Sequence, residues 1–413
     1  MPRARYLVIV AQKRHELYSL LTRLFAADSA VEVVIDRRDR QQQSAAREAG
    51  RSTERRRQGR VDDQLHSLGA AVVRASPPEA PAATPMAPSL LERDSEARSA
   101  VTARWGEVVL LGYARDRPKR YTVPVLIVAP LTLRPEIFDL APGLSLVEYL
   151  TAEGLEVFVL DFGSPDPVHR PSFEDYLDHL GSALDRTLAL SGAGTATLLG
   201  YGIGGLFAVL YAALQPLKVG NLVTLATPVD FSSGPLYRLT QAVDTASLPG
   251  AVGNVPGDWI RDQIVWWICT MPEHACRLWL EISTHLFDPA YWRRHALIVQ
   301  WLHDVRPFSG TAYRQFIRDF IQANGFAKRE IRIGERLIDP TQITCPVLVA
   351  AHTEDLLVPP ACAMALLGLV GSKDMEAFSV AGGSNGHVDI LVGPEAQAVT
   401  WPKLTAWLAA RSG

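Results

Sequence analysis

Five uninterrupted apolar runs mark the chain beyond its first hundred residues: VPVLIVAP (Val123 to Pro130), EVFVLDFG (Glu156 to Gly163), TATLLGYG (Thr195 to Gly202), LVTLATPVDF (Leu222 to Phe231) and CPVLVAAH (Cys345 to His352). A strand covered on both faces has no polar alternation, so such runs predict buried strands. Helical patterns separate several of them, and that alternation predicts a mostly parallel, doubly wound α/β sheet. Ala242 to Asn324 has no strand run and is helical and rich in tryptophan. It predicts a cap, at about residues 240–325, inserted between two late strands. The cap's Trp259, Trp266, Trp267, Trp279, Trp292 and Trp301 are expected mostly in its own core, with the lining of a tunnel as the other reading.

The N-terminal part is patterned differently. YLVIVA (Tyr6 to Ala11) and VEVVI (Val31 to Ile35) read as strands, and Leu65 to Val73 as a short helix running into a third. His15 to Ala27 places Leu17, Leu20, Leu21, Leu24 and Phe25 on one helical face. A small β-α-β module is therefore expected over residues 1–75. Within it, residues 36–60 (DRRDRQQQSAAREAGRSTERRRQGR) hold almost no apolar side chain. Such a stretch buries too little surface to offset its ordering entropy, and it reads as a solvated loop. SPPEAPAATPMAPS (Ser76 to Ser89) opens a Pro/Ala-rich linker over 76–100, ahead of the main domain at 101–413.

Charge and cysteine usage narrow the picture. A formal net charge of -3 over 413 residues gives the chain no overall electrostatic case for nucleic acid. The arginine run alone is a local candidate for polyanion, nucleic-acid or membrane-surface binding. Cys269, Cys276, Cys345 and Cys362 lack Cys/His metal spacing, so no metal site is expected and the cysteines read as reduced core thiols. The N-terminal apolar run is five residues long, and nothing later reaches the roughly 18 that a membrane span needs. The expectation is a cytoplasmic protein.

The chemistry gathers at three places. Gly200-Tyr201-Gly202-Ile203-Gly204-Gly205 follows a strand and opens an apolar helix. That is the setting of a nucleophile elbow, a tight strand-to-helix turn on which the central side chain projects. A Gly-rich phosphate loop is the competing reading, but no Lys-Ser/Thr follows. Asp355 comes just after the run ending at His352, before Val358-Pro359-Pro360. His387 ends the glycine-rich loop GGSNG. The order of nucleophile position, acid and histidine is that of hydrolase folds, with Asp355 orienting the imidazole and His387 as general base. Ile203 and Leu131 are the expected backbone donors of the oxyanion hole, and the helix N-terminus favours the developing charge.

These stretches, with WLHDVRPFSGTAYRQFIRDFIQANGF and GHVDILVG, resemble polyhydroxyalkanoate synthases, notably the short two-component type, over roughly residues 105–410. The resemblance implies an α/β-hydrolase fold with a helical cap. It also implies an acyltransferase that polymerises (R)-3-hydroxyacyl-CoA on a cysteine in a G-x-C-x-G-G box. It implies a coenzyme A thioester as substrate, no further cofactor, a second synthase-like subunit or homodimer as partner, and polyester granules as location. The cysteine of that box maps onto Gly202, which has no side chain to acylate. Three readings follow: a polymerase-related protein impaired by that glycine; a hydrolase or acyltransferase using another nucleophile or water activated by His387 and Asp355; and a granule or nucleic-acid binder acting through the arginine segment. Cys269 and Cys276 in the cap, Cys345, Cys362, Ser232 and Ser233 are the side chains weighed as substitutes, with packing the simpler role for the thiols.

Overall fold

The structure is a computed structural model and describes residues 6–10, 31–35, 70–74, 99–114, 118–241, 253–270, 272–383 and 385–413. The chain divides into two compact units, Met1–Ala87 and Pro88–Gly413. In the first, β1 (Tyr6–Val10), β2 (Val31–Ile35) and β3 (Ala70–Arg74) form a three-stranded sheet in the order β2-β1-β3. β1 and β2 run parallel, and β3 is antiparallel to β1. The expected helix at His15 to Ala27, the arginine run and Ser76 to Ser89 lie outside the described residues.

The second unit is built on an eight-stranded sheet. Its strands are β4 (Ser99–Trp105), β5 (Val108–Tyr113), β6 (Val125–Val128), β7 (Val157–Asp161), β8 (Ala196–Tyr201), β9 (Val219–Leu225), β12 (Val347–His352) and β13 (Met375–Val380). A two-residue hairpin, β10 (Arg332–Ile333) with β11 (Arg336–Leu337), stands apart. The sheet order is β13-β12-β9-β8-β6-β7-β5-β4. All pairs are parallel except β7–β5 and β5–β4.

Each central strand serves two cores. Leu126 and Val128 of β6 face one layer with α2 (Phe173–Ser191), α3 (Ile203–Leu214) and α9 (Pro360–Met364). Val125 and Ile127 face the other, with α1 (Leu146–Ala152), α10 (Gly386–Val392) and α11 (Trp401–Ala409). A strand buried on both faces must be apolar at every position, which is why these runs lack alternation.

The run Leu222 to Phe231 is strand only through Leu225, and β9 begins earlier, at Val219. Ala226 turns the chain out of the sheet with a φ of 46°. Val229 and Phe231 stay apolar because they are buried in the core that also takes in cap residues such as Phe308 and Phe320.

The cap lies between β9 and β12. It comprises α4 (Pro235–Thr240), α5 (Gly257–Thr270), α6 (Pro272–Thr284), α7 (Pro289–His303) and α8 (Gly310–Gln315), the last continuing as a π-helical turn over Phe316–Gln322. Phe173 stacks on Phe207 of α3 at 4.7 Å and on Phe320 of the cap at 4.8 Å, joining the α2–α3 layer to the cap. The tryptophans do not behave as one core. Trp301 is buried, whereas Trp279 is 63% exposed and Trp292 lies partly in solvent. The side chains of Trp266, Trp267, Cys269 and Cys276 lie outside the described residues. No helix among the described residues is long and apolar enough to cross a membrane.

Candidate active site

Gly202 sits at the junction of β8 and α3 with φ 55° and ψ -127°. That conformation is open to glycine and costs any other residue on the order of 1–3 kcal/mol, so the sharp elbow turn is present although its side chain is not. Its N–H donates to Leu225 on β9 at 3.0 Å. The flanking glycines answer to packing. A Cβ on Gly200 would stand 2.2 Å from the Cα of Gly205, and one on Gly205 would meet Thr227 Oγ1 at 1.8 Å. The cluster therefore brings helix and strand together, which is the elbow reading rather than the phosphate-loop one.

The acid and the histidine converge on this turn. Asp355 is buried, and its Oδ1 accepts the N–H groups of Leu357 at 2.9 Å and Val358 at 2.8 Å. Its Oδ2 lies 2.7 Å from His387 Nδ1. An ionised carboxylate can only accept, so Nδ1 carries the proton and Nε2 is left as the acceptor. Nε2 faces the elbow: a Cβ on Gly202 would stand 3.5 Å from it. The close approach of α10 depends on Gly386, where a Cβ would meet His352 Nδ1 at 2.4 Å. His352 closes β12 fully buried and accepts the Glu354 N–H at 3.1 Å. Burial holds it below the usual histidine range, hence neutral.

Ile203 opens α3, where the first N–H groups have no intrahelical acceptor. Leu131 is buried just beyond β6. The following residue, Thr132, accepts the Arg306 N–H through its carbonyl at 2.7 Å, so the irregular segment after α7 of the cap holds this loop. Arg306 also forms a two-pronged ion pair with Asp161 at the end of β7. On α6, Arg277 pairs with Glu354, the neighbour of Asp355. Sequence reasoning missed Arg306, Arg277 and Tyr201 because single charges and tyrosines carry no local signature. The first two lay inside stretches read only as cap.

The substitutes among the described side chains are Cys345, Cys362, Ser232 and Ser233. Cys362 is buried, and its Sγ lies 3.4 Å from Ser233 Oγ. Burial pushes its thiol above the usual range and that of Cys345 up to about 11, so both are poor nucleophiles. Ser232 donates its hydroxyl to Asp230. Among the described residues no group of three or more His, Cys, Asp or Glu is placed to hold a metal ion.

A mostly parallel sheet with an elbow after β8, an acid after β12 and a histidine after β13 defines an α/β-hydrolase fold with an inserted cap. The sequence is 33% identical over 319 residues to the poly(3-hydroxyalkanoate) polymerase subunit PhaC of Allochromatium vinosum, spanning 75% of this chain and 88% of that protein. The subunits of the same name from a Synechocystis species and from Haloferax mediterranei are 33% and 30% identical, covering 70% and 73% of this chain and 78% and 62% of their own. The chain belongs to this poly(3-hydroxyalkanoate) polymerase family. No family model matches the chain. Among solved structures, the Paleococcus ferrophilus monoacylglycerol lipase matches with a TM-score of 0.48 and 19% identity, over 74% of this chain and 100% of that one.

Proposed function

We propose that this member of the polymerase family forms no acyl-enzyme at its elbow and is impaired or inactive as a polymerase of 3-hydroxyacyl groups. The observation that carries this is Gly202, which holds the elbow backbone and offers no atom to acylate. The protein then acts in acyl-CoA or polyester metabolism as a partner or modulator, in the cytoplasm or at granules. The purified protein is incubated with (R)-3-hydroxybutyryl-CoA while intact mass and polymer are followed. Neither a covalent acyl adduct nor polymer is expected, and either one overturns the reading.

A second reading draws on the 2.7 Å contact between His387 and Asp355. An oriented imidazole of this kind acts as a base toward water, and general-base catalysis contributes typically about 10²–10⁴-fold. Slow, His387-dependent release of coenzyme A without polymer is its signature. Release that is unchanged in His387→Ala would exclude it.

A further inference from the structure

His387 directs Nε2 at the elbow, where the described residues supply no group from which to take a proton. Among the described residues, a Cβ on Gly202 would have only Nε2, at 3.5 Å, and Cε1, at 3.8 Å, of His387 within 4 Å beyond the adjoining residues. The elbow therefore leaves room for a short side chain beside an oriented base. The support of that base is complete: Asp355 holds Nδ1, two backbone N–H groups hold Asp355, and Tyr201 holds the His387 carbonyl. Such a base acts on whatever acidic hydrogen enters the open position, whether or not the donor is attached to the chain.

We propose that a small diffusible thiol occupies the open position at Gly202 and acts as the nucleophile, so that the site transfers the acyl group of a thioester to that thiol. The inference rests on reading His387 and Asp355 as an acid–base pair. In the step, the thiol proton passes to Nε2 and a sulfur–carbon bond forms at the thioester carbonyl. The oxyanion so formed faces the first N–H groups of α3. The original carbon–sulfur bond then breaks with its electron pair on the departing thiolate, which takes the proton back from His387. One thioester and one thiol become another thioester and another thiol, with nothing oxidised or reduced.

Two considerations favour a thiol over water. A thiol is a much stronger acid than water (about 8.5 for the cysteine thiol, somewhat higher for a simple alkyl thiol, against about 15.7 for bulk water), so transfer of its proton to an imidazole is far less uphill. The open position begins where a Cβ on Gly202 would stand, 3.5 Å from Nε2, so one carbon bearing a sulfur matches its reach. The chain's described thiols, Cys345 and Cys362, are held in packing.

The test uses the full chain with (R)-3-hydroxybutyryl-CoA and methanethiol, with tert-butanethiol as a bulky control. Coenzyme A release should rise with methanethiol to a plateau and yield the methyl thioester by mass spectrometry. His387→Ala should be slower by about 10²-fold or more, and tert-butanethiol should give no saturable rise. A linear thiol dependence equal in parent and His387→Ala, or free acid as the sole product, overturns the proposal. Gly202→Cys is run in parallel. If it acylates while the parent does not exchange, the proposal falls and the acid–base reading stands; if both folded proteins are silent, both fall.

Discussion

The hydroxyl of Tyr201 donates to the backbone carbonyl of His387 at 2.9 Å, and the two rings lie 5.1 Å apart. Tyr201 ends β8 and immediately precedes the elbow, so one strand fixes both the turn at Gly202 and the helix that carries the histidine. Burial, with Asp355 and Asp389 nearby, pushes the phenol well above its usual range, so it stays a neutral donor.

Tyr201→Phe removes that donor and leaves the ring. The carbonyl keeps its place in the α10 ladder, so losing this part-buried hydrogen bond costs about 0.5–1.5 kcal/mol. The thermal midpoint should fall by several degrees, and any His387-dependent turnover should fall with it. Restoration of neither by Tyr201→Trp is expected, because an indole N–H stands elsewhere on the ring. An unchanged midpoint in Tyr201→Phe would show that the bond contributes nothing.

How far this site is legible in the sequence depends on burial. β6, β7, β8 and β12 are covered on both faces and read directly as apolar runs. β13 (MEAFSV) and β4 (SAVTARW) lie at the two sheet edges, exposed at several positions, and the same criterion passes over them. The elbow, acid and histidine are legible because each sits at the end of a run or beside glycines that packing requires. Arg306, Arg277 and Tyr201 act through contacts 145, 77 and 186 residues away, and nothing local in the sequence marks them.

Gly202→Cys should change stability and chemistry in opposite senses. At φ 55° and ψ -127° a side chain introduces strain of about 1–3 kcal/mol. The urea midpoint should drop accordingly, while the thiol, placed beside His387 Nε2, should take an acyl group that adds to the intact mass. Gly202→Ala carries the same strain without the gain. A cysteine variant as stable as the parent would contradict the strained elbow.

Asp389 makes stability depend on pH. It is buried on α10, where Gly383 and Asn385 approach it and its Oδ2 accepts the Asn385 N–H at 2.9 Å. Burial, with Glu281 of α6 and Glu395 nearby and Arg294 of α7 opposing them, pushes its carboxyl up to about 7. The folded state thus holds a proton that the unfolded chain releases near pH 4, so this contribution is full below pH 4 and is lost as pH rises to about 7. Asp389→Asn should flatten that decline and be the more stable protein above pH 7, by a few kcal/mol at most. Parallel stability curves for the two proteins between pH 5 and 8 would rule this out.

The ion pair of Arg306 with Asp161 joins the cap segment after α7 to the sheet, with both side chains 13% exposed. Removing one partner of a buried pair leaves the other charge uncompensated, at about 3–5 kcal/mol, whereas replacing both by neutral groups of similar volume is often close to neutral. Arg306→Met and Asp161→Asn should each destabilise strongly, and the double variant should recover most of the loss. The Arg306 backbone still donates to Thr132 in each variant, so the charge is tested apart from the main-chain tie. If the pair also sets the loop at Leu131, the single variants should lose kcat on a thioester more than they raise KM, since an oxyanion donor acts in the transition state. Additive losses in the double variant would mean that the two charges do not depend on each other, and that the loop is held by its backbone contact alone.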